Sequence, residues 1–175
     1  QGHDLFAVHA HFLPPSGETI TLSKKIENIC SKLGVKLHIL DLSQAFEQKV
    51  ITPFIQSYVQ GHTPNPCAVC NVTMKFGLLL GKALSLGAEK IATGHYALVK
   101  NIDNKVTLWK AKDNIKDQSY FLSLVPGHKL KNVIFPLASW SKKEVRKFLQ
   151  KKSISPVTSR ESNEICFIDN DYRDF

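Results

Sequence analysis

The sequence predicts an α/β fold built on a mainly parallel β-sheet. Short apolar segments, typical of buried strands, alternate with longer amphipathic segments that have helical spacing. Such alternation is typical of strand–helix–strand units, in which a helix connects two parallel strands. The composition agrees, because 43% of the 175 residues are hydrophobic and 22% are charged, as in ordinary globular domains.

Strands are expected where short apolar runs are bounded by turn-forming residues. A polar turn at 101–104 separates two such runs and predicts an antiparallel hairpin. A Pro-Pro-Ser-Gly loop at 14–17 follows the first run. The predicted strands are 5–10, 35–40, 88–93, 97–100, 106–110 and 133–137, with short extended pieces at 156–157 and 165–168.

Helices are expected where apolar residues recur every three or four positions. Gly34 and Gly87 follow two of these patterns and are expected to end the helices, because glycine readily adopts the left-handed conformation found there. Pro53 lies inside another pattern and is expected to kink or break it. Ser141 and Glu144 form a capping box for the last helix. The predicted helices are 21–33, 41–60, 66–86, 117–124 and 141–152.

The stretch 63–76, TPNPCAVCNVTMKF, is the segment around which the function is expected to be organised. Its prolines keep the chain extended up to Pro66, which is then a natural first helical residue with Asn65 as its cap. Cys67 and Cys70 therefore fall in the first helical turn, on one face. Because the helix dipole favours negative charge there, we expect both thiols to ionise more readily than an ordinary cysteine. The pattern predicts reactive sulfur or a metal site, with two small buried residues as the simpler alternative.

Charge and cysteine usage narrow the class of protein. The net charge of +8 makes nucleic acid the obvious polyanionic partner, although a basic balance alone also fits a solvated surface. No uninterrupted apolar run approaches the roughly 20 residues that span a bilayer, so no membrane partner is expected. Four unevenly spaced cysteines do not form a disulfide framework, which favours a cytoplasmic location with the thiols kept for chemistry.

Six ordered motifs carry a resemblance to a known family. They are TPNPCAVCN with MKFG after it, LGAEKIATGHYA at 86–97, KDQSYFL at 116–122, FPL at 135–137, KKEVRKF at 142–148 and ESNEICFI at 161–168. Together they resemble the tRNA-specific 2-thiouridylases, which place sulfur on the wobble uridine of certain tRNAs. The resemblance covers most of the chain after His62 and only loosely the first sixty residues.

The resemblance implies a parallel sheet of the adenine-nucleotide alpha-hydrolase (PP-loop) type over 1–137, followed over 138–175 by the start of a small central domain. Two parts of the family pattern are missing from the sequence: the SGG-x-DS pyrophosphate loop on the first strand, and the C-terminal β-barrel. Backbone donors in that loop cradle the phosphates of ATP. We therefore expect the chain to be an internal fragment that lacks the first strand of the sheet.

The family's chemistry implies the roles of two cysteines. ATP, with Mg²⁺, adenylates the 2-carbonyl oxygen of the uridine, and a cysteine persulfide charged by a sulfur-donor protein then delivers sulfur to the activated carbon. Cys70 matches the family's nucleophile, and Cys166 matches the cysteine that carries the persulfide. The two would close a disulfide after transfer if their Cα atoms came within about 7 Å.

Other family positions imply contacts with substrates. Ala10 and Gly94 match positions that line the ATP site. The stretch that contacts the target base corresponds to Asn65, Pro66 and Cys67, and a second stretch that contacts tRNA corresponds to Lys116, Asp117 and Gln118.

Cys67 departs from the family pattern, because many members have aspartate at this position. A thiolate binds iron or zinc better than a carboxylate does. A [4Fe–4S] cluster held by Cys67, Cys70 and Cys166, with one iron left to carry sulfide, therefore stays open as an alternative to the persulfide. A structural zinc with His62 or Cys30 as fourth ligand is a third alternative.

Three functions remain open from the sequence. They are an ATP-dependent sulfur transfer to tRNA, a non-catalytic relative that binds tRNA or relays sulfur, and a small metal-binding module. His95 is expected to contact a phosphate or base, or else to be a structural histidine. The basic residues of the last helix, which face either solvent or tRNA phosphates, are Lys142, Lys143, Arg146, Lys147, Lys151 and Lys152.

Overall fold

The computed structural model describes residues 2–154 and 165–168. These residues form two compact units. The first comprises the described residues up to Pro66 together with 165–168, and the second runs from Cys67 to residue 154. The boundary predicted after residue 137 stays a prediction.

The first unit contains two parallel strands, Phe6–His11 and Lys36–Asp41, joined by the helix Gly17–Lys32. This strand–helix–strand unit confirms the predicted alternation. The helix begins four residues earlier than predicted, because Ser16 accepts a hydrogen bond from the backbone N–H of Thr19 while the Thr19 hydroxyl accepts one from the backbone N–H of Ser16. Threonine at the third helical position is an uncommon form of the capping box, which usually has Glu or Gln there.

The helix predicted over 41–60 is present but changes character before Pro53. Its parts are the helix Ser43–Phe46, a wider π-helical turn over Glu47–Ile51 and the helix Thr52–Val59. Proline has no N–H to donate, and its ring collides with the carbonyl four residues earlier in a regular helix. The wider turn accommodates Pro53 without ending the helix.

Phenylalanine side chains form the core of this unit. Phe46 is fully buried and stacks on Phe12, and the ring of Phe167 packs edge-on against both Phe46 and Phe54. The prediction that 165–168 is extended is wrong. These residues form a turn, with the N–H of Ile168 donating to the carbonyl of residue 165 at 3.0 Å. The extended piece predicted at 156–157 lies outside the described residues.

The second unit begins at the second residue of one long helical segment, Pro66–Ser85, named here the cysteine helix. It consists of Pro66–Cys70, a π-helical part over Asn71–Leu79, and Leu80–Ser85, and it ends before Gly87, whose φ is +94°. Contrary to the expectation from sequence, this segment is long and apolar enough to cross a membrane, by length and composition only. The core helix of a globular protein passes the same test, and Met74 and Phe76 are fully buried inside the unit.

Two short β-structures pack against the cysteine helix. The strands Ile91–Ala92 and Val133–Ile134 pair in parallel and are shorter than predicted. The predicted hairpin is confirmed as Leu98–Ile102 paired with Lys105–Trp109. Both residues of its turn have positive φ, as a two-residue hairpin of this kind requires. The core residues of the unit are Phe76, Ala97, Leu122, Val125, Leu130, Val133 and Phe135.

The remaining helices differ in how well the sequence predicted them. The capping box of the helix Lys142–Lys151 is confirmed, since Ser141 and Glu144 exchange the expected hydrogen bonds. The prediction of a helix over 117–124 is wrong, because only a 3₁₀ turn, Tyr120–Leu122, is present in that segment. A short helix that the sequence analysis missed, Gly127–Leu130, follows it.

Candidate active site

The cysteine helix presents two thiols of different exposure in its first turn. Pro66 is buried, Cys67 is exposed, and Cys70 is 8% exposed. Partial burial of the sulfur raises the pKa of the Cys67 thiol above its ordinary value, and the nearby Lys75 cation lowers it by a smaller amount. The prediction that Cys67 ionises more readily than an ordinary cysteine is therefore wrong, because desolvation outweighs the favourable charge.

A histidine directly contacts the lysine of the cysteine helix. The Nζ atom of Lys75 lies 3.4 Å from Nε2 of His95, and Nδ1 of His95 lies 2.9 Å from the hydroxyl of Thr93. A lysine ammonium only donates hydrogen bonds, so Nε2 is the acceptor and Nδ1 carries the proton that is donated to Thr93. Lys75, His95 and Thr93 thus form one chain of hydrogen bonds.

The imidazole of His95 is held in its neutral form. It is 8% exposed and packs against the rings of Phe76 and Phe135. Burial, followed by the charge of Lys75, lowers the pKa of His95 to about 3. His95 is therefore a fixed acceptor for Lys75 at any ordinary pH.

The two positions implied for the ATP site lie at strand ends. Gly94 follows the strand Ile91–Ala92, and a Cβ atom built on it would meet only a Leu137 methyl carbon at 4.0 Å. The backbone at Gly94 is thus open to a ligand. Ala10 is half-buried, one residue before the end of the strand Phe6–His11 in the first unit. Both positions fit the rule that ligands bind beyond the carboxyl ends of parallel strands.

The loop at Lys116, Asp117 and Gln118 is held in place by side chains that were expected to contact tRNA. The Asp117 carboxylate accepts hydrogen bonds from the backbone N–H of Ala111 at 2.8 Å and from the hydroxyl of Ser119 at 2.6 Å. Gln118 forms two bonds to one residue, because its backbone N–H donates to the Tyr96 carbonyl and its side-chain oxygen accepts from the Tyr96 N–H. These bonds keep the segment from forming the predicted helix.

A further bond closes a circuit of three motifs. The side-chain amide of Asn71, next to Cys70, donates to the carbonyl oxygen of Phe121 at 2.9 Å. Asn71 therefore joins the cysteine helix by a hydrogen bond to the KDQSYFL loop, residues 116–122. Lys75 joins it to the Gly-His-Tyr turn at 94–96, named here the GHY turn. The GHY turn is in turn bonded to the loop through Gln118. The structure brings these three motifs together within the second unit.

Comparison with protein families decides the identity of this fold. A family model described as tRNA methyl transferase HUP domain matches residues 16–170. The chain belongs to this family. The α/β fold of the PP-loop type is thus confirmed, and the parallel strand pairs agree with it.

Curated relatives match this chain over almost its whole length. The chain is 51% identical to the tRNA-specific 2-thiouridylase MnmA of Oleidesulfovibrio alaskensis, over 98% of the chain and 51% of that protein. It is 48% identical to the protein of the same name from Nitratidesulfovibrio vulgaris, and 40% identical to that from Helicobacter pylori, each over 52% of the relative. The chain spans about half the length of the curated relatives it matches. The similarity includes the first sixty residues, which the sequence motifs matched only loosely.

Cys166 lies in the first unit of this HUP domain and is exposed, next to the anchored Phe167. Among residues 2–154 and 165–168, no three His, Cys, Asp or Glu side chains are grouped closely enough to hold a metal ion. The structure therefore gives no support to a cluster on Cys67, Cys70 and Cys166, or to the zinc alternative. Cys30, expected in the core, is buried.

Three residues of the circuit were missed by sequence reasoning. Asn71, Lys75 and Thr93 all lie within the family motifs, but the sequence predicted no role for any of them. The available signal was the position of each residue: Asn71 directly follows Cys70, and Thr93 precedes the Gly-His pair. Lys75 is half-buried and flanked by the fully buried Met74 and Phe76, where a cation needs a partner.

Proposed function

We propose that the protein to which this chain belongs transfers sulfur to C2 of the wobble uridine in tRNA, with ATP as the activating substrate. The observation that carries the proposal is the hydrogen-bonded circuit that places the Cys67–Cys70 helix start, the Gly94–His95 turn and the Lys116–Gln118 loop in one unit. The names of the relatives support the same reaction.

The charge distribution supports a tRNA partner. Residues 67–155 contain sixteen Lys and Arg against five Asp and Glu, a net charge of +11. The rest of the chain contains seven against ten, a net charge of −3. The whole positive charge is thus concentrated on the unit that contains the cysteine helix, where phosphate contacts would orient the tRNA.

Two cysteines carry the sulfur chemistry in this proposal. ATP, accompanied by Mg²⁺ and bound beside Ala10 and Gly94, converts the uridine 2-oxygen into an adenylate with release of pyrophosphate. The terminal sulfur of a persulfide on Cys166 attacks C2, and AMP leaves. The thiolate of Cys70 then attacks the Cys166 sulfur, which releases 2-thiouridine and leaves a Cys70–Cys166 disulfide for a thiol reductant to open.

Contacts with the tRNA are assigned to two stretches. Asn65, Pro66 and Cys67 would contact the target base, and the Lys116–Gln118 loop would contact the tRNA backbone. A persulfide-carrying protein is proposed as the sulfur donor, and the cytoplasm, where tRNA is available, as the location.

The proposal is tested by assaying the purified full-length protein with unmodified tRNA, ATP, Mg²⁺, a thiol reductant and a sulfur-donor protein charged as its persulfide, which passes sulfane sulfur to Cys166 without a separate oxidant. We expect 2-thiouridine at the wobble position, detected by mass spectrometry of digested tRNA, and its loss in Cys70→Ser and Cys166→Ser. Cys30→Ser is the matched control, since that thiol belongs to the core of the first unit and should leave thiolation intact.

Two results would overturn the proposal. One is the absence of 2-thiouridine with folded, ATP-supplied protein, and the other is full activity of the Cys70→Ser variant. Iron and sulfide analysis of protein purified without oxygen separates the mechanisms, because the persulfide route requires neither element as a cluster.

A further inference from the structure

We propose that Lys75, held by the imidazole of His95, makes the Cys67 end of the cysteine helix a binding site for a phosphate group. The inference deepens the proposed function, because the phosphate would belong either to the adenylate or to the tRNA backbone beside the target base. Lys75 would touch this phosphate, and His95 and Thr93 would act as positioning residues.

A hydrogen bond to His95 holds Lys75 in place. Its ammonium donates to Nε2 of His95 at 3.4 Å, and Nδ1 of His95 donates to Thr93. A histidine that accepts from a lysine fixes the position of the cation without neutralising it, as a carboxylate would. Within the described part of the chain, no carboxylate forms an ion pair with Lys75. The arrangement thus keeps a full positive charge at a fixed place.

The imidazole that holds Lys75 is itself buried. His95 is 8% exposed and wedged between Phe76 and Phe135, so it cannot follow a lysine that moves. A buried histidine whose pKa is about 3 does not compete with Lys75 for an anion. These features are more than a surface lysine needs for solubility.

Lys75 is located near both the cysteines and Gly94. It lies one turn of the π-helical part below Cys70, because π-type hydrogen bonds join residues five apart. Its charge reaches the Cys67 thiol, where burial raises the pKa and Lys75 offsets part of that rise. Through His95 it is also adjacent to Gly94, whose backbone is open to a ligand. An anion bound at Lys75 would therefore lie between the reactive sulfur and the nucleotide edge of the strand.

The exposed Cys67 thiol provides a direct probe of this charge. Iodoacetate and iodoacetamide react with the same thiolate and have similar size, but only iodoacetate is an anion. The ratio of their rates at Cys67, followed by mass spectrometry, reports the local attraction for anions and cancels the ionisation of the thiol. We expect this ratio to fall roughly two- to fivefold in Lys75→Met, the effect of one charge across a partly solvated distance.

Matched variants exclude simpler explanations. Lys82→Met removes an exposed lysine from the same helical segment and should leave the ratio unchanged. Lys75→Arg keeps the charge and should retain most of the preference. His95→Leu should lower the ratio and His95→Gln should restore it, because glutamine again offers an acceptor. If a variant fails to fold, the wild type still tests the proposal. Rising salt should reduce its ratio of iodoacetate to iodoacetamide rates at Cys67.

Two ligands then identify the source of the phosphate. We measure the protection of Cys67 from the neutral reagent, iodoacetamide, by AMP and by a short RNA stem–loop. Protection by AMP that is lost in Lys75→Met assigns the site to the nucleotide, and the same pattern with the stem–loop assigns it to tRNA. Protection by neither ligand, or protection that survives in Lys75→Met, overturns the assignment to phosphate.

An equal ratio in the wild type and Lys75→Met, with no salt dependence, overturns the proposal altogether. The measurement does not require thiolation. An anion preference in a protein that makes no 2-thiouridine would reject the proposed function and keep the site, and an active enzyme with no anion preference would do the opposite.

Discussion

Asn71 and Phe121 are joined by a hydrogen bond of 2.9 Å, although fifty positions separate them in the chain. Asn71 directly follows Cys70 and is 2% exposed, and Phe121 lies in the 3₁₀ turn Tyr120–Leu122 that ends the Lys116–Gln118 loop. The bond therefore fixes the loop against the helix that carries the proposed nucleophile. Because the bond is partly buried, water can only incompletely replace Asn71 as the partner of the Phe121 carbonyl.

We expect Asn71→Ala to lower the free energy of unfolding by about 1–2 kcal/mol, because a partly buried hydrogen bond to a carbonyl is lost and water replaces it only in part. The matched control is Asn132→Ala, which removes a bond of the same chemistry and length to the Glu89 carbonyl at an exposed site. Water replaces that bond, so the control should cost about 0.5 kcal/mol or less. Urea unfolding of the full chain measures both. Equal losses in the two variants would show that the Asn71 bond is not buried in solution.

The buried imidazole of His95 predicts a loss of stability at acid pH. Its pKa is about 3 in the folded chain against 6.5 for an ordinary histidine, so only the unfolded state binds a proton between these values. The free energy of unfolding is therefore unaffected well above 6.5. It should fall by about 1.4 kcal/mol for each pH unit below that value, until the pH approaches 3.

Urea unfolding at pH 7, 6 and 5 checks this slope in the wild type and in His95→Gln. The variant should lose most of the pH dependence, because its side chain does not titrate. His9 in the first unit contributes with the same sign, since burial and then the neighbouring His11 lower its pKa, so His9→Gln is measured in parallel. A wild-type slope that persists unchanged in His95→Gln would locate the effect elsewhere.

The elements that sequence predicted well are those fixed by neighbouring residues. The capping box of Ser141 and Glu144 and the hairpin turn at Asp103 and Asn104 depend on residues at most three positions apart, and both are confirmed. The segment 117–124 has helical spacing but no helix. There, Asp117 and Gln118 bond to residues 6 and 22 positions away, which no local pattern reveals.

The same distinction applies to the candidate site. Cys67 and Cys70 were identified from a local motif, and the structure places both in the first turn of a helix, as predicted. The ionisation of Cys67 was predicted in the wrong direction, because burial depends on packing that the motif does not encode. Lys75 was missed because its partner, His95, lies 20 positions away.

Two glycines of the cysteine helix should respond to alanine in opposite ways. A Cβ on Gly81 would meet no atom within 4 Å, so Gly81→Ala should raise the free energy of unfolding by about 0.5–1 kcal/mol through helix propensity. A Cβ on Gly77 would lie 3.0 Å from the Val72 carbonyl oxygen, five residues back in the π-helical part. Gly77→Ala should therefore show no gain, or a loss.

Thermal or urea unfolding of the two single variants makes this comparison, with each serving as the other's control. Equal stabilisation by both substitutions would show that the helix in solution is regular at residues 72–77. The π-helical turn that places Lys75 below Cys70 would then also be absent.

Substitutions at Lys116 and Gln118 can distinguish a residue that contacts tRNA from one that only holds the Lys116–Gln118 loop in place. The side-chain oxygen of Gln118 accepts from the Tyr96 N–H, so Gln118→Ala removes this bond, keeps the backbone bond to Tyr96, and should weaken tRNA binding only by loosening the loop. Lys116→Gln removes a cation, and one lost phosphate contact lowers the slope of log K against log salt by roughly 0.7–0.9. Binding of the full-length protein to tRNA at several salt concentrations measures both quantities.

We expect a shallower slope in Lys116→Gln, and weaker binding with an unchanged slope in Gln118→Ala. Lys82→Gln should change neither. An unchanged slope in Lys116→Gln would remove Lys116 from the tRNA interface and leave the loop with a purely structural role.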